Sequence, residues 1–284
     1  MIIGDLGRFV VVKQALKTNF STEEFGMNYQ SISAKWFAVL GLALSVSSVT
    51  AMAHDPDERV SLEPTVQGAV TAGAFNYVFQ MIDTKKNMLV ADKDLLVMSE
   101  KKLHFFIYDT ALKNLQHVHP EYKDGKWQVA VNLPQDGKYW VWAQGQLAVD
   151  KAEFSASNRL LIKGGTPADL SKPDLKEKRS AMDGNSVATL SNDVIHAGKA
   201  AMLMVTYSRK DGTAPQITPF LGSLGHATVV SSDEDALYHV HPMQHANMLM
   251  LHMELKEVGD YRVWLQFMDG GQLKTVALAV PVIK

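Results

Sequence analysis

Beyond residue 60 the chain alternates with a period of two. Trp127, Val129, Val131 and Leu133 interleave with Gln128, Ala130 and Asn132, and Leu249, Leu251, Met253 and Leu255 interleave with Met250, His252 and Glu254. Successive side chains on a strand point to opposite faces, so these runs predict half-buried β-strands. Tyr139 with Val141, and Tyr261 with Val263, mark further strands. Turn-forming runs separate them: Lys123-Asp124-Gly125, Pro134-Gln135-Asp136-Gly137 and Met268-Asp269-Gly270-Gly271. No long amphipathic helix is visible after residue 60.

The pattern occurs twice. At an offset of 122 residues, 103–107 aligns with 225–229 and His117-Val118-His119-Pro120 aligns with His239-Val240-His241-Pro242. Gly137, Tyr139, Trp142 and Gln144 align with Gly259, Tyr261, Trp264 and Gln266. Upstream the match continues after a three-residue slip, with Ala72-Gly73 against Ala197-Gly198. An internal duplication of short antiparallel strands, about a hundred residues per copy, predicts an all-β chain of two tandem immunoglobulin-like β-sandwich domains. We place them at 54–165 and 186–284, with residues 166–185, rich in Gly, Pro, Lys and Asp, as the linker.

The first 53 residues differ from the rest. Lys35 precedes an apolar run from Trp36 to Val46, followed by Ala51-Met52-Ala53, the order of a secretory signal peptide and its small-residue cleavage site. The run is short for a membrane span, although an uncleaved anchor is the alternative. Met27 offers a second start, eight residues before Lys35. Cleavage after Ala53 would leave a periplasmic or secreted chain that begins at His54 and has no membrane span.

Composition narrows the chemistry. The 284 residues are 46% hydrophobic, and 28 Lys+Arg against 30 Asp+Glu give a net charge of −2. That balance lacks the basic field a nucleic-acid binder needs. With no cysteine, disulfide scaffolds, zinc–thiolate sites, Cys nucleophiles and blue-copper centres are excluded. Ten histidines and fourteen methionines remain as borderline and soft ligands.

Each repeat carries a His and, thirteen residues later, His-x-His-Pro: His104, His117 and His119, then His226, His239 and His241. Residues two apart on a strand share a face, and a thirteen-residue gap fits a hairpin. Turns centred near Thr110-Ala111 and Ser232-Asp233 set His104 across from His117, and His226 across from His239. Three imidazoles then converge, which suits Cu(II) or Zn(II). The trailing proline removes a donor from the ladder and ends the strand. The competing reading is a structural histidine cluster that braces the hairpin.

The second repeat adds Met243, His245, Met248, Met250 and His252. Met248, Met250 and His252 fall on the face opposite Leu249 and Leu251, where thioethers would favour Cu(I), unless the other domain covers that face. Met202 and Met204 share a strand face and read as core. His54, at a new N-terminus, could chelate copper through its amine and ring.

Two resemblances follow from these residues. An exported, cysteine-free β-sandwich with scattered His and Met resembles, in composition and architecture, the periplasmic copper-binding proteins of bacterial copper-resistance operons. The segments 219–226 and 238–242, Tyr-His-Val-His-Pro in the second, resemble secreted bacterial proteins often supposed to handle heavy metals. Those resemblances imply an extracytoplasmic β protein. The first repeat departs from them: Val97-Met98-Ser99-Glu100 replaces the Pro-Phe-Leu-Gly lead-in.

Three functions compete. The first is a non-catalytic metal-binding protein for sequestration or delivery, copper before zinc, with the second repeat as the main site. The second is a metal-independent module that binds an envelope protein, with Trp140, Trp142 and Trp264 as anchors. The third is a His-ligated metalloenzyme, for which no acid recurs as general base: Asp109 and Glu121 are replaced by Ser231 and Met243.

Overall fold

A computed structural model of the chain describes residues 12–13, 59–168, 175–233, 236–245 and 248–284. It is built almost wholly of strands. After Val12–Lys13 (β1), the first half contains β2 Val60–Pro64, β3 Ala69–Thr71, β4 Gly73–Asp83, β5 Met88–Leu89, β6 Leu103–Asp109, β7 Leu115–Val118, β8 Glu121–Lys123, β9 Lys126–Leu133, β10 Gly137–Gln146 and β11 Glu153–Lys163. The second contains β12 Ser180–Asp183, β13 Ser186–Leu190, β14 Ile195–His196, β15 Ala200–Arg209, β16 Ile217–Thr218, β17 His226–Ser231, β18 Ala236–Val240, β19 Met243–His245, β20 Met248–Glu254, β21 Gly259–Asp269 and β22 Gln272–Ile283.

Each half is a sandwich of two sheets, as the alternation predicts. In the first, the order β2-β4-β9-β8 faces the order β3-β11-β10-β6-β7. In the second, β12-β13-β15-β20-β19 faces β18-β17-β21-β22-β14, with β1 on the β18 edge. Leu62, Phe79, Phe105, Trp127, Val141 and Ile162 fill the first core, and Leu203, Val229, Leu251, Val263, Phe267 and Leu278 the second. The linker is shorter than its composition suggests. Ser180–Asp183 pairs with Ser186–Leu190, so Gly184 and Asn185 form a hairpin turn inside the second sandwich.

A third core joins the halves. Phe106, Tyr108, Leu112, Trp140, Trp142 and Leu175 pack with Val230, Leu237, Trp264 and Ala279. Apart from Leu112 and Leu175, which lie outside the strands, these side chains stand on the outer faces of β6, β10, β17, β18, β21 and β22, whose other faces line the two sandwich cores. The two central sheets therefore lie back to back in a four-layer stack. Strands covered on both faces read as continuous apolar runs, as in the Leu-His-Phe-Phe-Ile-Tyr of β6. Trp142 donates its indole N–H to the Tyr108 hydroxyl at 2.9 Å, and Arg262 reaches from β21 to the Leu112 carbonyl at 3.2 Å. Trp140, Trp142 and Trp264 are buried here, which removes them as exposed anchors for a partner.

Candidate metal centre

The hairpin register differs from the expectation by two residues. Phe106, not His104, lies across from His117, and Thr228 across from His239. The turns are centred one residue later than Thr110-Ala111 and Ser232-Asp233. A shift of two preserves the face, so all three rings of each repeat still point the same way. β7 and β18 end at Val118 and Val240, and the chain then leaves the central sheet through His119-Pro120 and His241-Pro242 to pair in the outer sheet. The proline thus ends the ladder as expected, with His119 and His241 held at the crossover.

The shared face is the one that meets the other half, so the two clusters become one. The ring centres of His104 and His239 are 5.0 Å apart, those of His117 and His239 5.0 Å, and those of His117 and His226 5.7 Å. Within the halves, His117 and His119 are separated by 4.9 Å and His239 and His241 by 4.5 Å. Phe106 stacks on His117 and presents its edge to His239. Among the described residues, two groups can each bring three ring nitrogens within 4.8 Å of one another: His104, His117 and His239, and His226, His239 and His241. His239 belongs to both.

Hydrogen bonds set the tautomers. His104 Nε2 lies 3.0 Å from the Met98 carbonyl and His226 Nε2 lies 2.7 Å from that of Phe220. A carbonyl only accepts, so each Nε2 bears the proton and each Nδ1 keeps its lone pair. His117 Nδ1 donates to Gln266 Oε1 at 3.0 Å, across the interface, which leaves the lone pair on Nε2. That Nε2 is 3.2 Å from His104 Nδ1, and His226 Nδ1 is 3.3 Å from His239 Nε2. Two nitrogens bound to one tetrahedral ion at about 2.0–2.1 Å stand about 3.3 Å apart. His119 Nε2 and His241 Nε2, equivalent atoms of the two repeats, are buried without a hydrogen-bond partner. Such orphaned polar atoms are costly unless a ligand satisfies them.

Burial also keeps the rings neutral. Desolvation, then neighbouring imidazoles, hold His117 and His239 well below the usual histidine range, and burial lowers His104. His226 is pushed down to about 4 and His119 and His241 to about 3, again mainly by burial. Neutral imidazole is the form that binds metal. A groove of about 660 Å³, lined by Lys101, His117, His119, Glu121 and Lys123, leads to the cluster from the first half.

The divergent lead-ins build the same support. Met98 and Lys101 exchange backbone hydrogen bonds, as do Phe220 and Ser223, and the residues between have positive φ: Ser99 and Glu100 in one repeat, Leu221 and Gly222 in the other. Each tight turn aims its first carbonyl at the first histidine. Sequence reasoning missed both turns because Ser-Glu is not a usual pair for left-handed conformation. It also missed Gln266, whose alignment with Gln144 was the available signal.

The remaining candidates lie elsewhere. Met248, Met250 and His252 are on β20, in the outer sheet and not beside His226, His239 and His241. Met202 and Met204 are 58% and 44% exposed, not core, because their odd-numbered neighbours Leu203 and Val205 face inward. His54 lies outside the described residues, as does the signal-like segment apart from Val12–Lys13. Asp109 accepts backbone N–H groups of Lys113 and Asn114, a turn-capping role.

Residues 180–284 match a domain of unknown function, DUF8832. No curated protein matches the chain. Among solved structures, it is similar to fibronectin(III)-like modules of CbhA from Clostridium thermocellum, at 12% identity over 78% of this chain and 94% of that one, with a TM-score of 0.21. Tandem Ig repeats of Dlar match at 10% identity, over 78% of this chain and 97% of that one, with a TM-score of 0.20.

Proposed function

We propose that this is an extracytoplasmic metal-binding protein that sequesters or delivers an ion without turnover, copper in preference to zinc. One observation carries the reading: the lone pairs of His104 Nδ1 and His117 Nε2 face each other at 3.2 Å in a buried site, and the equivalent nitrogens of the second repeat, His226 Nδ1 and His239 Nε2, are 3.3 Å apart. Two lone pairs so placed repel; a cation between them turns the repulsion into two bonds. The all-imidazole donor set favours copper over zinc by the usual affinity order. The periplasmic or secreted location rests on the apolar run and the Ala51-Met52-Ala53 sequence. Among the described residues no helix is long and apolar enough to cross a membrane. Calorimetric titration of the metal-free protein with Cu(II) and Zn(II) tests the proposal. Submicromolar binding is expected, weakened about 100-fold or more by His239→Ala, which removes a donor from both groups. Binding weaker than micromolar, or unaffected by that substitution, contradicts it.

The groove favours a second reading, a metalloenzyme whose substrate reaches an open coordination position beside His117 and His119. Turnover of an oxidisable or hydrolysable substrate by the copper- or zinc-loaded protein, abolished by His117→Ala, would establish it. The metal-independent partner module is the weaker alternative, since its tryptophans are spent inside the chain.

A further inference from the structure

The outer sheet of the second sandwich carries an unusual solvent face. Met202 pairs in register with His252 across β15 and β20, and the next pair on that face is Met204 with Met250. Met243 of β19 lies on the other side of Met250. Solvent faces of strands normally carry polar or β-branched residues, and methionine normally fills cores. Here the core positions of the same strands are taken by Leu203, Val205, Leu251 and Met253, while Met202, Met204 and Met243 are exposed.

We propose that Met202, Met204, Met250 and His252 form a surface site for a soft monovalent cation, Cu(I) or its redox-inert counterpart Ag(I). Directly opposed Cβ atoms are about 5 Å apart and same-face neighbours along a strand about 7 Å apart. The four residues therefore mark the corners of a small rectangle. An ion above its centre is about 4–5 Å from every Cβ, within the span of a thioether or an imidazole that leans inward. Three thioethers and one imidazole form a neutral, sulfur-rich set, which selects Cu(I) over Zn(II). Glu254, the carboxylate on this face of β20, pairs with Ala200 one step beyond. Met243 flanks the rectangle and can replace a corner ligand as the ion enters or leaves. The site lies on the opposite side of the sandwich from the histidine cluster and does not depend on it.

The test is an Ag(I) titration of the full chain bearing His117→Ala, His239→Ala and His241→Ala, which leaves each histidine group one donor, followed by NMR of 13C-labelled methionine methyl groups. The methyl signals of Met202, Met204 and Met250 should shift and saturate at one equivalent, while those of buried Met81 and Met253 stay fixed. Met202→Leu, Met204→Leu and Met250→Leu should each weaken binding about 10-fold, and the triple variant should lose it with unchanged thermal stability. Unmoved signals in the histidine variant, or equal Ag(I) affinity in the triple-leucine protein, would overturn the proposal. Neither outcome bears on the interdomain centre, which is silenced throughout.

Discussion

At the scale of single residues, the histidines are held by what surrounds them rather than by their spacing alone. Gln266 orients His117 from the other half of the molecule, so Gln266→Leu should leave the fold intact and weaken Cu(II) binding by about 10–100-fold, measured by competition with a chelator of known affinity. The same burial makes the metal-free protein acid-sensitive. Histidines of the unfolded chain titrate near 6.5, whereas His226 is held at about 4 and His119 and His241 at about 3. The stability these neutral rings contribute is complete above about pH 6.5 and is lost as pH falls toward the folded values, because the unfolded state then binds more protons. Thermal unfolding followed by circular dichroism should therefore show a lower midpoint at pH 5 than at pH 7.5, and His119→Gln with His241→Gln should flatten that dependence. The triads themselves are legible in the sequence, since spacing of two and thirteen fixes a common face whichever even register the hairpin takes. The tautomers are not, because they depend on carbonyls six residues upstream and on a glutamine 149 residues away.

At the scale of elements, the alternation identifies the strands well and the outer edges poorly. Ser180–Asp183 is hidden in a charged stretch, and its pairing emerges only from the sheet it extends. Met202 and Met204 mislead for a different reason: methionine is usually core, and here alternation with Leu203 and Val205 is the better guide. The tight turn before β6 gives a test of its own. Glu100 sits at φ +65° where the second repeat has Gly222, and a left-handed conformation costs a non-glycine residue about 1–2 kcal/mol. Glu100→Gly should raise the stability by about 1 kcal/mol in chemical denaturation and leave metal affinity unchanged, since the Met98 carbonyl keeps its place. A destabilised variant would mean that the carboxylate beside Gly222 matters more than the backbone strain.

For the whole molecule, the decisive feature is that the duplicated sandwiches meet through the faces that carry their histidines. A single sequence hints at this through aromatic residues on both faces of the central strands, but no local pattern states which surfaces join. The interface is a core in its own right: Trp142→Ala should cost about 3–5 kcal/mol, read from denaturant unfolding, and should also impair metal binding by loosening the two triads. Reciprocally, an ion bound between the halves should clamp them, adding about 2.7 kcal/mol of stability at one hundred times its dissociation constant. The most direct measurement is X-ray absorption on the full chain loaded with one equivalent of Cu(II), compared with His117→Ala and His239→Ala. If imidazoles from both halves share the ion, the spectrum shows nitrogen at about 2.0 Å with imidazole scattering, and either substitution reduces that shell. A spectrum without imidazole, or one that only residues of a single half can alter, contradicts a centre built between the repeats.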